Sequence, residues 1–243
     1  MSDRMQKVAL VFGGSRGIGA AAAMRLAEDG FAVALTYVSR PDKAEEVVRA
    51  IEAGGGRALA IAADSADPVA LRAAVPRTVE QFGPIDAVVV NAGILRLATI
   101  DAFSLEDLDR MLAVNIRGVF LAIQAATAQM RDGGRVITVG SNTAERPVVP
   151  GASVYAMTKA AVAMMVKGIA LDLAPRRITV NNIQPGPTDT DMNEGHIPAL
   201  TQMVPIGRVG QPREIGALVS YLAGPDSGYM TGASLTIDGG FVL

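Results

Sequence analysis

The sequence contains no cysteine and a single histidine, His196. Without cysteine the chain cannot form disulfide bonds, use a thiolate in catalysis or build a cysteine zinc site, although this absence fits any redox compartment. A lone histidine has no second histidine or cysteine with which to share a metal ion. We therefore predict no metal site and interpret His196 as a lid or surface residue.

An excess of charge of either sign is also absent. The chain has 22 basic and 24 acidic residues, a net charge of −2, and no basic run. Because polyanions bind to clustered basic residues, we expect no nucleic-acid partner.

Long apolar runs are missing as well. The first residues, MSDRMQK, are followed only by VALVF before a glycine cluster, which is too short for a signal peptide. No run approaches the roughly 18 apolar residues of a membrane span, so we expect a cytoplasmic protein without a membrane partner. A chain of 243 residues that is 50% hydrophobic can bury a large core, and its length predicts one domain, residues 1–243.

What is present is an alternation of apolar runs and helical segments. The runs typical of buried strands are residues 7–12, 31–37, 57–64, 85–93 and 134–141, a sixth that begins near 177, and a last one at 234–243. This order predicts a single Rossmann-type domain, a doubly wound parallel sheet of about seven strands with helices on both faces. In such sheets ligands bind outside the carboxyl ends of the strands.

A glycine-rich turn follows the first run directly, in the string GGSRGIGAAAAM. Glycines let the backbone approach a pyrophosphate closely, and the following helix supplies free N–H groups and a positive dipole end. The turn therefore predicts a phosphate-binding loop made of Gly13, Ser15, Arg16, Gly17, Ile18 and Gly19.

The end of the second run indicates which cofactor is bound. An acidic residue there accepts both ribose hydroxyls of NAD, whereas hydroxyl and basic groups favour the additional phosphate of NADP. This chain offers Thr36, Tyr37, Ser39 and Arg40, with no acid before Asp42. The pattern, with Arg16 as a second cation, favours NADP(H) over NAD(H); alternatively, Arg40 and Lys43 are only solvated loop charges.

Other strand ends carry small or polar residues. Asp64 and Ser65 follow the third run, where an adenine ring would lie, and Asp67 is interpreted as a helix cap. Asn91, Ala92 and Gly93 follow the fourth run, Ser141 ends the fifth, and Pro185, Gly186, Thr188 and Thr190 follow the sixth. The carboxyl ends of parallel strands share one edge, so these residues are predicted to converge.

Tyr155 and Lys159 are four residues apart in the apolar segment 153–167. In a helix this spacing places a phenol and an ammonium on one face, where the cation would lower the pKa of the tyrosine. The alternative is a half-buried tyrosine beside an extended lysine. A long helix is predicted over residues 104–130 with Ser104 as its cap, and Asn115 in its middle requires a hydrogen-bond partner.

The segment between the sixth run and the last helix contains Gly195, Pro198, Pro205 and Gly207. Its composition predicts a mobile substrate lid near residues 188–210. The apolar C-terminal tail indicates packing against another subunit, so we expect an oligomer.

This set of motifs resembles the short-chain dehydrogenase/reductase family over essentially the whole chain. The resemblance implies that Tyr155 is the general acid of carbonyl reduction, that Ser141 holds the carbonyl oxygen, and that Lys159 binds the nicotinamide ribose and lowers the tyrosine pKa. It also implies that Asn115 positions a proton-relay water, that Asp64 contacts the adenine, and that the protein is a homotetramer. The nicotinamide would be bordered by Ile183, Thr188 and Thr190. The expected function is NADPH-dependent reduction of a small ketone or aldehyde to an alcohol.

Two departures from the family pattern stand out. Phe12 replaces the usual threonine before the first motif glycine, which predicts that a hydrogen bond from this turn to the fourth strand is missing. The interval from Ser141 to Tyr155 is 14 residues, often one fewer in the similar oxoacyl-carrier-protein reductases, which predicts a different substrate loop.

Two other functions stay open. One is an NAD-dependent alcohol dehydrogenase. The other is a nucleotide-binding regulator, because GGSRGIGAA, DSAD and GSN resemble a bacterial biofilm-dispersal branch of the family that has been described as binding cyclic di-GMP.

Overall fold

The computed structural model describes residues 6–243 and has a seven-stranded parallel sheet in the order β3-β2-β1-β4-β5-β6-β7. The predicted Rossmann-type fold is confirmed. The order reverses between β1 and β4, which creates the crevice where such sheets bind ligands. Residues 1–5 belong to the N-terminal segment in which no signal peptide is expected, and they lie outside the described residues. The strands are β1 Val8–Phe12, β2 Ala32–Tyr37, β3 Ala58–Ala62, β4 Ile85–Val90, β5 Met130–Val139, β6 Thr179–Pro185 and β7 Ser234–Ile237.

Helices cover both faces of the sheet. They are α1 Gly17–Glu28, α2 Pro41–Ala53, α3 Pro68–Phe82, α4 Leu105–Leu112, α5 Val119–Ala128, α6 Ser153–Leu173, α7 Ile197–Met203 and α8 Pro212–Ala223. One apolar cluster packs α3, α5 and α6 on one face, and a second packs α1, α2 and α8 on the other. The central strands are apolar along their whole length because both of their faces are covered.

The prediction of one long helix over residues 104–130 is confirmed as a continuous helical stretch, Leu105–Ala128, and only its predicted end is wrong, by two residues. The stretch consists of α4, a π-helical segment Ala113–Gly118 and α5. Ser104 caps α4 by accepting from the Asp107 N–H at 3.0 Å, and Asp67 caps α3 by accepting from the Val69 N–H at 2.8 Å, both as predicted. Asn115 lies inside the π segment, a feature that frequently occurs at functional sites.

Strand β5 begins before its predicted start. Met130 pairs with Ile85 and Arg135 with Ala87, so a bulge absorbs the residues between them. The polar and glycine residues 131–134 are typical of a turn, and they form the bulge between the paired residues Met130 and Arg135. The strand ends at Val139, which places Ser141 just beyond the sheet.

Two helical stretches, Leu105–Ala128 and Ser153–Arg176, are long and apolar enough to cross a membrane by length and composition alone. The expectation that no segment reaches this length is therefore wrong. Both stretches contribute buried residues to the sheet core, among them Val119, Ile123, Val162 and Val166. They fit the core helices of a soluble protein of this fold.

The predicted lid segment is closed at its base by backbone pairing. Thr188 and Gly210 form a parallel bridge, and the Asp189 N–H donates to the Gly210 carbonyl at 2.8 Å. Between them lie a short 3-10 turn, Asp191–Asn193, and α7. Its mobility stays a prediction.

Candidate active site

The glycine turn after β1 leaves no room for side chains. Gly13 has φ +75°, and a Cβ there would lie 2.9 Å from the Ala92 backbone. A Cβ on Gly19 would lie 2.0 Å from the Gly13 carbonyl oxygen. The first turn of α1 is therefore pressed against the loop after β4, an arrangement that presents backbone N–H groups to an anion.

The turn is bonded to both neighbouring strands although Phe12 is not a threonine. The Phe12 carbonyl accepts from the N–H groups of Asn91 at 3.1 Å and Ala92 at 3.0 Å. The Asn91 side chain donates to the Gly13 carbonyl at 2.8 Å, and the Gly13 N–H donates to the Thr36 hydroxyl at 2.9 Å. The prediction of a missing link to the fourth strand is wrong, because main-chain atoms and Asn91 form it.

A cavity of about 600 Å³ opens over the crevice between β1 and β4. This volume is within the range of cofactor sites, about 300–1,000 Å³. Predicted residues that line it are Gly13, Ser15, Arg16, Gly17, Ile18, Tyr37, Ser39, Arg40, Asp64, Ser65, Asn91, Ala92, Gly93 and Thr190. The glycine cradle and these polar groups fit a dinucleotide.

Six predicted cofactor residues do not line this cavity: Gly19, Tyr155, Lys159, Pro185, Gly186 and Thr188. Gly19 packs on Gly13, and a Cβ on Gly186 would lie 2.4 Å from the Asp238 Cβ. The Thr188 hydroxyl donates to the Gly186 carbonyl at 2.9 Å. Pro185 ends β6. Direct cofactor contacts by these residues stay a prediction.

Both cations predicted for the cofactor phosphate are paired with carboxylates at the cavity. Arg16 lies 3.3 Å from Asp191, in the segment 188–210, and Arg40 donates two hydrogen bonds to Asp42 at 3.0 and 2.7 Å. The Arg40 guanidinium lowers the pKa of Asp42 to about 2. Both pairs are exposed, and such pairs contribute little stability, so either arginine can exchange its carboxylate for a phosphate.

Arg110 is a lining residue that the sequence did not reveal. It donates to Asp64 at 3.0 Å, while Asp64 also accepts from the Ala66 N–H at 2.9 Å. Burial opposes ionisation of Asp64, but these hydrogen bonds outweigh it, so its pKa lies below the ordinary value. Arg117, seven residues further on, donates to the Ala66 carbonyl at 3.1 Å. The helix that contains Asn115 thereby holds the loop after β3. These contacts join residues far apart in the chain, so only the folded structure reveals them.

Asn115 was predicted to need a hydrogen-bond partner, and the structure provides the main-chain N–H and carbonyl of Ile94. The Asn115 side chain accepts from the Ile94 N–H and donates to its carbonyl, each at 2.9 Å, and it donates to the Thr158 hydroxyl at 3.2 Å. The proton-relay role itself stays a prediction.

Lys159 is buried next to the cleft. Its ammonium donates to the Val139 carbonyl at 3.1 Å and lies 5.6 Å from the centre of the Tyr155 ring. A Cβ on Gly93, which lines the cavity, would lie 3.3 Å from the Lys159 Nζ. Tyr155 and Lys159 therefore share a helix face, as their spacing predicted.

The expected lowering of the tyrosine pKa is not found in this structure. Burial raises the pKa of Tyr155 to about 12, against the opposite effect of a hydrogen bond with Ser141, and burial lowers the pKa of Lys159 to about 8. The ammonium faces the ring and a carbonyl rather than the phenol oxygen, and loss of solvent outweighs it. Tyr155 is thus fully protonated at neutral pH.

The buried lysine predicts a pH dependence of stability. Its pKa is about 8 in the folded chain and near about 10.4 in an unfolded one. Between these values the unfolded chain binds more protons, so the free energy of unfolding rises with pH. Between about pH 8 and about pH 10 the gain amounts to roughly 2–3 kcal/mol.

Denaturant unfolding of the wild type, Lys159→Met and Lys167→Met over this pH range measures the effect. The rise is expected in the wild type and in Lys167→Met, which changes an exposed lysine of the same helix. It should disappear in Lys159→Met, and an equal rise in that variant would contradict the assignment.

His196 is exposed immediately before α7. Among residues 6–243, no group of three histidine, cysteine or acidic side chains is arranged to hold a metal ion. The absence of a metal site stays a prediction.

Comparison with known proteins finds similarity over almost the whole chain. A family model described as enoyl-(acyl carrier protein) reductase matches residues 13–242. A cyclic-di-GMP-binding biofilm dispersal mediator protein of Escherichia coli is 41% identical over 238 residues, which cover 97% of each chain.

Two solved structures are similar over the full fold. A short-chain dehydrogenase/reductase from Serratia marcescens has a TM-score of 0.95 at 54% identity, covering 98% of this chain and 99% of that one. A short chain dehydrogenase from Burkholderia cenocepacia in complex with NADP has a TM-score of 0.95 at 48% identity, covering 99% of this chain and 100% of that one.

The fold and the glycine cradle are those of the dinucleotide-binding α/β class, and the similar proteins make the chain an oxidoreductase of that class. More narrowly, the chain belongs to the short-chain dehydrogenase/reductase family, as its sequence motifs predicted.

Proposed function

We propose that this protein reduces a ketone or aldehyde to an alcohol with NADPH as hydride donor. The observation that carries the proposal is the position of Lys159, which lies against Gly93 of the cleft and over the ring of Tyr155. Lys159 thereby connects the Tyr155 ring to the edge of the cofactor cleft. The bound nicotinamide would supply the hydride, and the residues of the chain would supply orientation and the proton.

Tyr155 is suited to donate that proton. The phenol is protonated at neutral pH, as an unperturbed tyrosine also is, and burial raises its pKa further, to about 12. Tyr155 is therefore in the form that carbonyl reduction needs. A donated proton neutralises the developing alkoxide in the transition state. Ser141 would hold the carbonyl oxygen, and Lys159 would bind the ribose.

NADP(H) is the cofactor that the cleft favours. Tyr37, Ser39, Arg16 and Arg40 line one end of it and no acid replaces them at the end of β2. A hydroxyl and guanidinium environment suits a phosphate better than a free ribose hydroxyl. The NADP complex of the similar Burkholderia protein supports this proposal.

The test is oxidation of NADPH, followed by absorbance, with a panel of aldehydes, ketones and unsaturated thioesters, alongside fluorescence titrations of NADPH and NADH. We expect turnover of carbonyl compounds and tighter binding of NADPH. Consumption of NADPH only with the unsaturated thioesters would replace carbonyl reduction by carbon–carbon double-bond reduction. Alcohol oxidation with NAD alone would favour the NAD-dependent alcohol dehydrogenase.

The second candidate is a cyclic dinucleotide regulator, favoured by the described binding property of the similar Escherichia coli protein. It predicts saturable binding of cyclic di-GMP in calorimetry and negligible oxidation of NADPH across the panel. Turnover of carbonyl compounds without binding of cyclic di-GMP would exclude this regulatory function.

We further propose a cytoplasmic homotetramer. Met157, Met164 and Leu171 form an exposed apolar stripe on α6, with 47%, 65% and 78% of their surfaces exposed. Their spacing of seven places them on one helix face, and contiguous apolar surface of this kind marks an interface. Light scattering coupled to gel filtration should give the mass of four chains, and Met164→Glu should give a smaller species. A monomeric wild type would contradict the proposal.

A further inference from the structure

The Ser141 hydroxyl has three polar neighbours within its own loop. It lies 3.2 Å from the Thr143 backbone nitrogen, 2.9 Å from the Thr143 hydroxyl and 3.5 Å from the side-chain oxygen of Asn142. Ser141 is buried and Thr143 is half-buried, so bulk water competes little for these contacts.

A donor and acceptor count shows what these neighbours leave available. A serine hydroxyl has two lone pairs and one proton. The Thr143 N–H can only donate, and the Thr143 hydroxyl donates at 2.9 Å, so the two contacts occupy both lone pairs of Ser141 Oγ. The proton of Ser141 is then the only part of the group that is available for other partners.

The Asn142 amide is oriented so that it also faces Ser141 with an acceptor. Its nitrogen donates to the Asp238 carboxylate at 3.2 Å, and that carboxylate is fixed by the N–H groups of Gly240 at 2.9 Å and Val242 at 3.1 Å. An ionised carboxylate accepts only. Asn142 therefore turns its nitrogen to Asp238 and its oxygen to Ser141, and the segment after β7 fixes this orientation.

We propose that Thr143 is a positioning residue that makes Ser141 a dedicated hydrogen-bond donor. With both lone pairs occupied, Ser141 directs its proton to Asn142 while no substrate is bound and to the carbonyl oxygen of a bound substrate. The proposal rests on the carbonyl-reducing function proposed above. A hydrogen bond with Ser141 acts to lower the pKa of Tyr155 against the effect of burial, so the Ser141 hydroxyl lies close to the phenol.

Kinetics of Thr143→Val, Thr143→Ser and Ser141→Ala test the proposal, alone and combined. Thr143→Val keeps the side-chain shape and removes the hydroxyl, and we expect it to lower kcat about tenfold, the size of one hydrogen bond, with the KM for NADPH unchanged. Thr143→Ser should restore kcat. In a Ser141→Ala background, Thr143→Val should change kcat by less than about twofold, because the two residues act as one unit.

An equal loss of kcat in both backgrounds would show that Thr143 acts on the substrate or the loop fold, and it would overturn the proposal. So would a failure of Thr143→Ser to recover activity.

Neutron diffraction from deuterated crystals gives a readout that needs no turnover. The deuteron of Thr143 should lie on the line to Ser141 Oγ, and the deuteron of Ser141 should point to Asn142 or Tyr155. A Ser141 deuteron directed at Thr143 Oγ1 would overturn the proposal. If the wild type reduces no carbonyl compound, the proposed function fails, while the deuteron positions still decide the orientation of Ser141.

Discussion

Replacement of Tyr155 by phenylalanine is expected to lower the rate of carbonyl reduction by about 10²- to 10⁴-fold, the usual contribution of a positioned general acid. The phenol is protonated at neutral pH, since burial raises a pKa that is already near about 10 to about 12. Phenylalanine keeps the ring and the contact with the Lys159 ammonium, which lies 5.6 Å from the ring centre. The affinity for NADPH should therefore stay within about twofold of the wild-type value, since one neutral hydrogen bond at most is changed.

Single-turnover rates and fluorescence titration of NADPH measure the two quantities separately. Tyr229→Phe is the matched control, because it removes a hydroxyl from a fully exposed side chain; its rate should be that of the wild type. Ordinary turnover by Tyr155→Phe would exclude this residue as the acid. A large loss of NADPH affinity would instead indicate that the phenol serves mainly in cofactor binding.

Much of the fold could be predicted because the central strands are buried on both faces. Such strands appear in sequence as unbroken apolar runs, as in β1 and β4. Their ends were less predictable, since the runs at 57–64, 85–93 and 234–243 continue beyond the last ladder pairing. Residues 131–134 were not predicted as strand for the opposite reason. Their composition indicates a turn, and they belong to β5 only as a bulge between Met130 and Arg135, which pair with Ile85 and Ala87.

The candidate site was predictable in position and less so in electrostatics. The convergence of Gly13, Asp64 and Asn91 on one cavity follows from the rule that parallel strands end on one edge. Spacing also placed Tyr155 and Lys159 on one helix face. Spacing contains no information about desolvation, so the raised pKa of Tyr155 was missed. Likewise, no local pattern links Arg110 to Asp64 or Thr143 to Ser141, because these contacts depend on tertiary placement or on loop geometry.

Replacement of Arg40 by alanine is expected to weaken NADPH binding by about 10- to 100-fold, while NADH binding stays unchanged. Arg40 lines the end of the cavity, and its charge-assisted hydrogen bonds to a phosphate would contribute about 1.5–3 kcal/mol. NADH lacks the additional phosphate, so the removal of Arg40 takes no contact away from NADH. Titrations of both cofactors, at low and at raised ionic strength, measure the ratio of the affinities and its sensitivity to salt.

Removal of the competing carboxylates separates phosphate binding from a general effect of charge. Asp42→Asn frees Arg40 and Asp191→Asn frees Arg16, and each should tighten NADPH binding by up to about fivefold, the value of an exposed ion pair. Arg49→Ala is the matched control: it removes an exposed cation of α2 that is paired with Glu45 and lies outside the cavity. Equal losses in Arg49→Ala and Arg40→Ala would show only long-range attraction. If Arg40→Ala left the NADPH affinity unchanged, Arg40 would be a solvated loop charge, and the preference for NADP(H) would lose its structural basis.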